Sequence, residues 1–358
     1  MAKVKVLIVD DSVVYRTKIR SVLQELDSVD ILGVASNGRL ALERMSQNMP
    51  DLLILDLEMP EMDGIQTLEE INKRKFKCKV LVFSSLSQHG AEHTMTALSL
   101  GASDFITKPG GEISTASMIN PSEKIKSLLI PKMIALFPQL APESTEGSKI
   151  TKAPGKFPPI IWDLFIPKII VIGSSTGGPT VLEEMFLALA NTTISCPIVI
   201  AQHMPPVFTA SFAERLTKAS GIPTKEASHG EVLEKNRVYI VPGDYHLRLT
   251  GSVEKTSVSL DQGPAINSVR PAVDPLFTSA ASIYKNKCLG IILTGMGADG
   301  KAGCVDVKLA GGAILIQDKA SCVVFGMPGA VYEAGAYDKM VSPKQIVDIF
   351  KEKVAIAL

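Results

Sequence analysis

Short apolar runs alternate with longer stretches in which apolar residues recur every three or four positions over the first third of the chain. This alternation is typical of βαβ units, in which amphipathic helices cover a parallel sheet. It predicts five short buried strands: Val4–Val9, Asp30–Ala35, Leu52–Leu55, Val80–Phe83 and Asp104–Thr107. Helices are predicted between the strands, for example at Val13–Leu26 and Arg39–Gln47. A last helix is predicted at Ser122–Phe137, with a kink or break at Pro131.

The alternation stops between Pro138 and Pro167. Prolines are mixed there with Ser, Thr, Glu, Gly and Lys, a composition typical of a linker. Two clusters within it, Ile160–Trp162 and Leu164–Ile166, are too apolar for a segment that lies wholly in water. We therefore expect part of the linker to pack against a domain.

The alternation returns at Lys168 and predicts a second parallel sheet. Its strands are predicted at Ile169–Ile172, Pro197–Ala201, Val238–Val241, Gly290–Leu293 and Ala313–Ile316. Leu247–Thr250 and Val258–Leu260 are predicted to form a small antiparallel insertion. The chain thus divides into an α/β domain at 1–137, a Pro-rich linker at 138–166 and a doubly wound α/β/α domain at 167–358.

Composition narrows the class of protein. The 358 residues suit two domains, and 37 basic against 37 acidic residues give a formal net charge of zero. That balance argues against a partner such as nucleic acid or an anionic membrane surface. No apolar stretch is long enough for a membrane span, and the N-terminus does not resemble a signal peptide. The five scattered cysteines have no metal-ligand spacing, so we expect reduced thiols in a cytoplasmic protein.

Carboxylates end two strands of the first predicted sheet. Asp10 and Asp11 close the first strand and Asp56 closes the third. Because parallel strands of an open sheet present their carboxyl ends at one edge, we expect the three carboxylates to cluster there. Oxygen ligands in a partly hydrated site suit Mg²⁺, which relieves the repulsion between them.

Two further polar residues follow strands of this sheet. Ser84 ends the fourth strand and Lys108 follows the fifth, where a hydroxyl and an ammonium can hold the oxygens of a phosphoryl group on Asp56. With the acidic cluster, these residues resemble the receiver domain of two-component response regulators. The resemblance implies a flavodoxin-like (βα)5 fold, Asp56 as phosphoacceptor, and Asp10 and Asp11 with Asp56 as Mg²⁺ ligands. It also implies Ser84 as the switch hydroxyl and Phe105 as the switch aromatic residue.

A glycine-rich turn opens the second domain. The strand Ile169–Ile172 runs directly into Gly173–Gly178, and a helical pattern follows at Val181–Leu189. Such a turn places backbone N–H groups at a helix N-terminus, which suits the binding of a phosphate group. The turn also fits the G-x-S-x-G elbow that displays a nucleophile, here Ser175. The turn alone decides for neither chemistry.

Two residues at the predicted edge of the same sheet favour the nucleophile. A serine needs a base, and the base needs an orienting carboxylate. His203 follows the strand Pro197–Ala201, and Asp299 lies on a glycine-rich turn after Gly290–Leu293. The chain order Ser…His…Asp differs from that of α/β-hydrolases, so that fold is disfavoured.

At this point the second domain resembles the catalytic domain of the chemotaxis protein-glutamate methylesterases, the CheB family. The matching stretches are Gly173–Gly178, Gln202–Pro205, Arg270–Asp274, Thr294–Gly300 and Gly326–Pro328. The resemblance implies a Rossmann-like sheet, Ser175 as nucleophile, His203 as general base and acid, and Asp299 as its orienting residue. The backbone N–H groups of Thr176 and Met296 are the candidates for stabilising the oxyanion.

The same resemblance implies a function and its regulation. We expect hydrolysis of glutamyl methyl esters on methyl-accepting chemoreceptors, deamidation of particular receptor glutamines, and no cofactor in the esterase site. A chemotaxis histidine kinase is the expected phosphodonor, and the unphosphorylated receiver is expected to block the rim around Ser175. Relatives often carry alanine where this chain has Ser174, which places a rival hydroxyl beside the nucleophile.

Other interpretations of the second domain explain fewer residues. A DNA-binding output would need a basic helix-turn-helix module of roughly 60–100 residues, which this sequence lacks. A nucleotide-binding domain would use Gly173–Gly178 for phosphate and leave His203 and Asp299 without a task. A catalytically silent scaffold remains open at this level, although it would not need these three residues together.

Overall fold

The computed structural model describes residues 3–109, 121–141 and 157–357. The chain forms two compact units, Met1–Gly147 and Ser148–Leu358. Within the described residues, no helix is long and apolar enough to cross a membrane.

The first unit is a five-stranded parallel sheet with helices between its strands. The strands are β1 (Val4–Val9), β2 (Val29–Ala35), β3 (Leu52–Asp56), β4 (Lys79–Ser84) and β5 (Asp104–Thr107). The helices are α1 (Val13–Gln24), α2 (Gly38–Gln47), α3 (Gly64–Lys73), α4 (Gln88–Ser99) and α5 (Pro121–Leu136). The strand order is β2-β1-β3-β4-β5, the flavodoxin-like order of a doubly wound sheet. The five strands therefore lie where the apolar runs predicted them, within two residues at each end.

One of the two outcomes expected at Pro131, a break in the helix, does not occur: α5 continues through the proline. Proline removes one backbone donor and crowds the preceding turn, which usually ends or kinks a helix. Here Ile125, Leu129 and Met133 form one face, four residues apart, and all three are completely buried against the sheet. Packing of this face holds the helix together through the proline.

The second unit is built on a seven-stranded parallel sheet. In chain order, the first strands and helices of this unit are β6 (Ile169–Ser174), α6 (Gly178–Leu187), β7 (Thr192–Ile194), β8 (Ile198–Gln202), α7 (Phe208–Ser220), β9 (Thr224–Glu226) and β10 (Val238–Ile240). The remaining elements are β11 (His246–Gly251), β12 (Thr256–Asp261), α8 (Val273–Tyr284), β13 (Cys288–Ile292), α9 (Lys301–Leu309), β14 (Ala313–Gln317), α10 (Met327–Glu333), β15 (Lys339–Val341), α11 (Pro343–Lys353) and β16 (Ala355–Ala357).

The order of the main sheet is β15-β14-β13-β6-β8-β10-β9. The chain winds outward from β6 on one side and returns through β13 on the other, so the switch in winding direction lies at β6 and β13. Ligands of open α/β sheets bind at such a point, beyond the carboxyl ends of the strands. The predicted antiparallel insertion is confirmed as β11 paired with β12.

The apolar clusters ahead of β6 pack in part on the second unit. Phe165 is buried, and the Lys339 ammonium lies 4.4 Å from the centre of the Trp162 ring. Lys353 Nζ donates to the Trp162 carbonyl at 2.7 Å. Ile161, Leu164 and Ile166 remain exposed. The rest of the Pro-rich stretch, residues 142–156, lies outside the described residues.

Candidate functional site

The acidic cluster of the first unit forms as expected at the carboxyl edge of its sheet. Asp10 follows β1 and Asp56 is the last residue of β3, and both are buried, whereas Asp11 is exposed. One oxygen from each of the three carboxylates lies within 4.8 Å of the others. Oxygens this close suit a divalent cation, since a single ion can contact all three.

Lys108 partly offsets the charge of this cluster. Its Nζ lies 3.0 Å from Asp10 Oδ2 and 2.6 Å from Asp56 Oδ2. Burial, joined by repulsion from Asp10, nevertheless raises the pKa of Asp56 to about 6. Burial also raises the pKa of Asp10. One ammonium thus does not fully offset the burial of the two carboxylates, so the residues present fit a bound divalent cation.

Ser84 and Phe105 lie on the two strands that follow β3 in the sheet. Ser84 ends β4, next to β3, and its hydroxyl donates to the Gly90 carbonyl in the first turn of α4 at 3.1 Å. Phe105 lies on β5 and is 5% exposed. A hydroxyl that already contacts α4 can transmit a change at Asp56 to that helix if it turns toward a phosphoryl group.

In the second unit, the turn after β6 requires glycine at position 177. Gly177 has φ of 77°, and a Cβ at this position would meet the Val323 side chain at 2.6 Å. Ser175 N–H donates to Thr294 O at 3.0 Å, and Gly178 N–H donates to Ser175 O at 2.8 Å. The turn therefore displays a half-buried Ser175 directly before α6.

The hydroxyl of the neighbouring Ser174 is already engaged in a hydrogen bond. Ser174 is completely buried and its Oγ donates to Gln202 Oε1 at 2.6 Å. The Gln202 amide in turn donates to the carbonyls of Ser175 and His203, at 3.1 and 3.4 Å. Gln202 thus joins the Ser175 turn to the end of β8, and Ser174 is not available as a rival nucleophile.

His203 and Asp299 meet at the edge where Ser175 lies. The His203 backbone N–H donates to Ser174 O at 3.1 Å, so the histidine directly neighbours the turn. His203 Nε2 lies 2.8 Å from Asp299 Oδ2. Since Asp299 is the acceptor, Nε2 carries the proton and Nδ1 is left to act as base. The Ser175 hydroxyl makes no hydrogen bond to protein within the described ranges, and free enzymes often tighten this contact only with substrate.

Asp299 is held as a carboxylate by the start of α8. Its Oδ2 accepts the Val273 N–H at 2.6 Å, and its Oδ1 accepts the N–H groups of Asp274 and Gly300 at 3.3 and 3.0 Å. Burial works to raise the pKa of Asp299, but hydrogen bonds and the charge of His203 outweigh it and hold the pKa below its usual value. An ionised Asp299 can stabilise the imidazolium that forms when His203 accepts a proton.

The two oxyanion candidates differ in exposure. Thr176 is buried, and its carbonyl accepts the Thr294 hydroxyl at 3.0 Å. Met296 follows β13, is 38% exposed, and its N–H has no hydrogen-bond partner among the residues that the structure describes. A donor at this position is available to an oxygen bound next to Ser175.

Sequence reasoning passed over several residues of this site. Gln202 lies within Gln202–Pro205, one of the stretches that match the family, but nothing in the sequence indicates its hydrogen bond to Ser174. Asn267 donates to Asp299 Oδ1 at 2.9 Å from an irregular loop. His246 is the buried first residue of β11, and its Nδ1 accepts the Ala272 N–H at 3.3 Å.

Comparisons with known proteins cover both units. The family model of the CheB methylesterase matches residues 170–350, and that of the response regulator receiver domain matches residues 6–120. A protein-glutamate methylesterase/protein-glutamine glutaminase of Trichodesmium erythraeum (strain IMS101) is 41% identical over 97% of this chain and 98% of its own. The protein of the same name from Thermotoga maritima is 39% identical, again over 97% and 98%. The crystal structure of the Thermotoga maritima CheB methylesterase catalytic domain is 47% identical over 52% of this chain and 98% of that one, with a TM-score of 0.49.

Proposed function

The chain belongs to the protein-glutamate methylesterase/protein-glutamine glutaminase (CheB) family, and from that premise we propose that Ser175, His203 and Asp299 are its catalytic triad. It is a methylesterase and glutaminase with a receiver domain, and its activity is regulated by phosphorylation. The observation that carries the triad is the bond of 2.8 Å between His203 Nε2 and Asp299 Oδ2, beside the turn that displays Ser175.

The proposed reaction is acyl transfer in two steps. His203 Nδ1 takes the Ser175 proton while Oγ attacks the carbonyl carbon of a glutamyl methyl ester, and the proton then goes to the departing methoxide, which leaves as methanol. Water then loses a proton to His203, attacks the acyl-enzyme and restores the serine. A glutamine side chain follows the same path with ammonia as the leaving group. The N–H groups of Met296 and Thr176 are the proposed oxyanion donors, each worth about 3–4 kcal/mol in such sites.

The geometry of the turn argues against the nucleotide-binding alternative. A phosphate cradle needs backbone N–H groups that point at the ligand. Ser175 N–H and Gly178 N–H are both already bonded to carbonyl groups of the protein. That alternative would also give no role to the His203–Asp299 pair.

The substrate and the phosphodonor are proposed from the family. The methyl-accepting chemoreceptors are the proposed substrates, and a chemotaxis histidine kinase is the proposed donor to Asp56, with Mg²⁺ held by Asp10, Asp11 and Asp56. A cytoplasmic location is proposed as well, and the five unpaired cysteines support it. The test is methanol release from methylated receptor cytoplasmic fragments, with and without acetyl phosphate and Mg²⁺. A folded protein that releases none under any condition would contradict the proposal.

Magnesium is expected to stabilise the first unit. Millimolar Mg²⁺ should raise its melting temperature by a few degrees, because an ion that binds only the folded state shifts unfolding by mass action. Asp11→Asn should remove most of this rise, whereas Asp30→Asn, an exposed carboxylate on β2 of the same unit, should not. Differential scanning calorimetry with and without Mg²⁺ measures both. An equal rise in wild type and Asp11→Asn would exclude Asp11 as a ligand.

Asp56→Asn is expected to abolish the response to a phosphodonor. The amide removes the nucleophilic carboxylate and, with it, the site of phosphorylation. Methanol release by wild type should rise on addition of acetyl phosphate and Mg²⁺, and release by the variant should not change. The control is again Asp30→Asn, which should respond as wild type does. A variant that is stimulated as strongly as wild type would show that phosphorylation acts elsewhere.

A further inference from the structure

Asn267 makes a bridge between two carboxylates beside His203. Its Nδ2 donates to Asp299 Oδ1 at 2.9 Å and to Asp274 Oδ2 at 3.0 Å. An amide nitrogen carries two hydrogens, so one goes to each carboxylate. Within the described residues, Asn267 therefore reaches the acidic pair through its side-chain amide.

The two carboxylates belong to the starts of two packed helices. Asp299 precedes α9 and accepts N–H groups at the start of α8, whereas Asp274 lies in the first turn of α8 and accepts the Gly303 N–H of α9 at 2.8 Å. Each helix N-terminus is therefore capped by the acidic residue of the other. Both sites favour negative charge, which brings two carboxyl groups close together.

The proximity of the two carboxyl groups disfavours ionisation of Asp274. Burial, with a further contribution from the charge of Asp299, raises the pKa of Asp274, while Asp299 stays ionised. The titratable groups that face this pair are His203 from the end of β8 and the buried thiol of Cys304 from α9. Asn267 supplies a neutral donor to both carboxylates from a third direction.

The backbone of Asn267 is built for this placement. Ile266 and Val269 exchange backbone hydrogen bonds of 3.2 and 3.0 Å, and the two residues between them, Asn267 and Ser268, have φ of 53° and 65°. Positive φ at both central positions defines a type I′ turn. Such a conformation is uncommon outside glycine, and asparagine tolerates it best among residues that carry a side-chain amide.

Two clamps hold the loop that carries this turn. Arg270 donates to Asp244 Oδ1 through Nε at 2.9 Å and to the Gly263 carbonyl through Nη1 at 2.7 Å. His246 accepts the Ala272 N–H and, through Nε2, donates to the Pro264 carbonyl at 3.0 Å. The loop is therefore anchored on both sides of Asn267, although Asn267 itself is exposed.

From this geometry we infer that Asn267 is a positioning residue for the hydrolysis, acting through Asp299 to orient His203. The inference rests on the proposed triad. When His203 is neutral, the His203–Asp299 pair carries one negative charge, and when His203 is protonated the pair carries none. A donor to Asp299 stabilises its carboxylate and lowers its pKa, so the pair keeps its negative charge, and Asp299 its bond to Nε2–H, down to lower pH.

Asn267→Gly tests the amide without disturbing the turn, because glycine adopts positive φ readily. We expect kcat to fall about tenfold with KM little changed, the scale of one hydrogen bond to a charged group. The acidic limb of the kcat profile should move to higher pH. Asn267→Asp, which keeps the shape and replaces the donor by a charge, should lower kcat further and move the limb further. Ser268→Gly, in the same turn, should behave as wild type.

A second measurement does not depend on turnover. The ¹³C carboxyl signal of Asp299 should titrate at higher pH in Asn267→Gly than in wild type, because its pKa loses a stabilising donor. If this shift occurs while wild type releases no methanol, the positioning stands and the proposed function fails. If wild type is active and Asn267→Gly keeps its kcat, pH profile and Asp299 titration, the inference fails alone. A variant with only a raised KM would make Asn267 a substrate contact and overturn the inference as well.

Discussion

Ser175→Ala is expected to lower kcat for methanol release by about 10⁴- to 10⁶-fold, the range seen when a serine hydrolase loses its nucleophile. The turn should survive the change, since its bonds run through the backbone of Ser175 rather than through its hydroxyl. Binding of a methylated receptor fragment should change little. Stopped assays of methanol release, with acetyl phosphate and Mg²⁺ present, measure the loss.

Ser174→Ala is the matched control for this variant. The adjacent hydroxyl is buried and bonded to Gln202, so its removal costs one buried hydrogen bond, about 1 kcal/mol of stability. We expect activity within a few-fold of wild type. If Ser174→Ala lost its activity and Ser175→Ala kept it, the nucleophile would be assigned to the wrong serine.

Most of the functional residues that the sequence predicted share one property: they lie at the carboxyl end of a strand of a parallel sheet or in the turn that follows it. Asp10, Asp56 and His203 stand where an apolar run gives way to a polar residue. Parallel strands all end at the same edge, so residues far apart in sequence are brought together by topology alone. This is why the acidic cluster and the His203–Asp299 pair could be expected without any measured distance.

The residues that support these groups had no such signal. Asn267 reaches Asp299 only because a tight turn and the Arg270–Asp244 clamp fix an irregular loop, and neither follows from apolar periodicity. Gln202 contacts Ser174 and Ser175 because β6 and β8 pair with Ser174 opposite Gln202. Such contacts depend on side-chain direction in the folded state.

The missed strands have a related cause. β9 and β15 have three residues each, with polar side chains among them, and both lie at the edges of the sheet. An edge strand needs no buried face on both sides, so its sequence carries no apolar run. Their conformation comes from pairing with β10 and β14.

Asp299→Asn is expected to lower kcat by about 10⁴-fold, as the same change does to the orienting aspartate of a serine protease. Both oxygens of Asp299 are surrounded by donors. Oδ2 accepts His203 Nε2–H and Val273 N–H, and Oδ1 accepts Asn267, Asp274 and Gly300. In either orientation, the NH₂ group of the introduced asparagine must therefore face an N–H group, and two donors repel each other. The repulsion is removed only if the facing partner can become an acceptor.

The partner that can change is His203. If the amide introduced by Asp299→Asn donates to Nε2, the imidazole proton must move to Nδ1, the nitrogen proposed as base for Ser175, and the base is lost. The loss should therefore appear in kcat, with little change in the affinity for methylated fragments. Asp306→Asn on α9, where the carboxylate accepts the Thr278 hydroxyl, is the control and should keep full activity. A fall of less than tenfold in Asp299→Asn would mean that His203 does not depend on this carboxylate, and the triad would reduce to a Ser175–His203 pair.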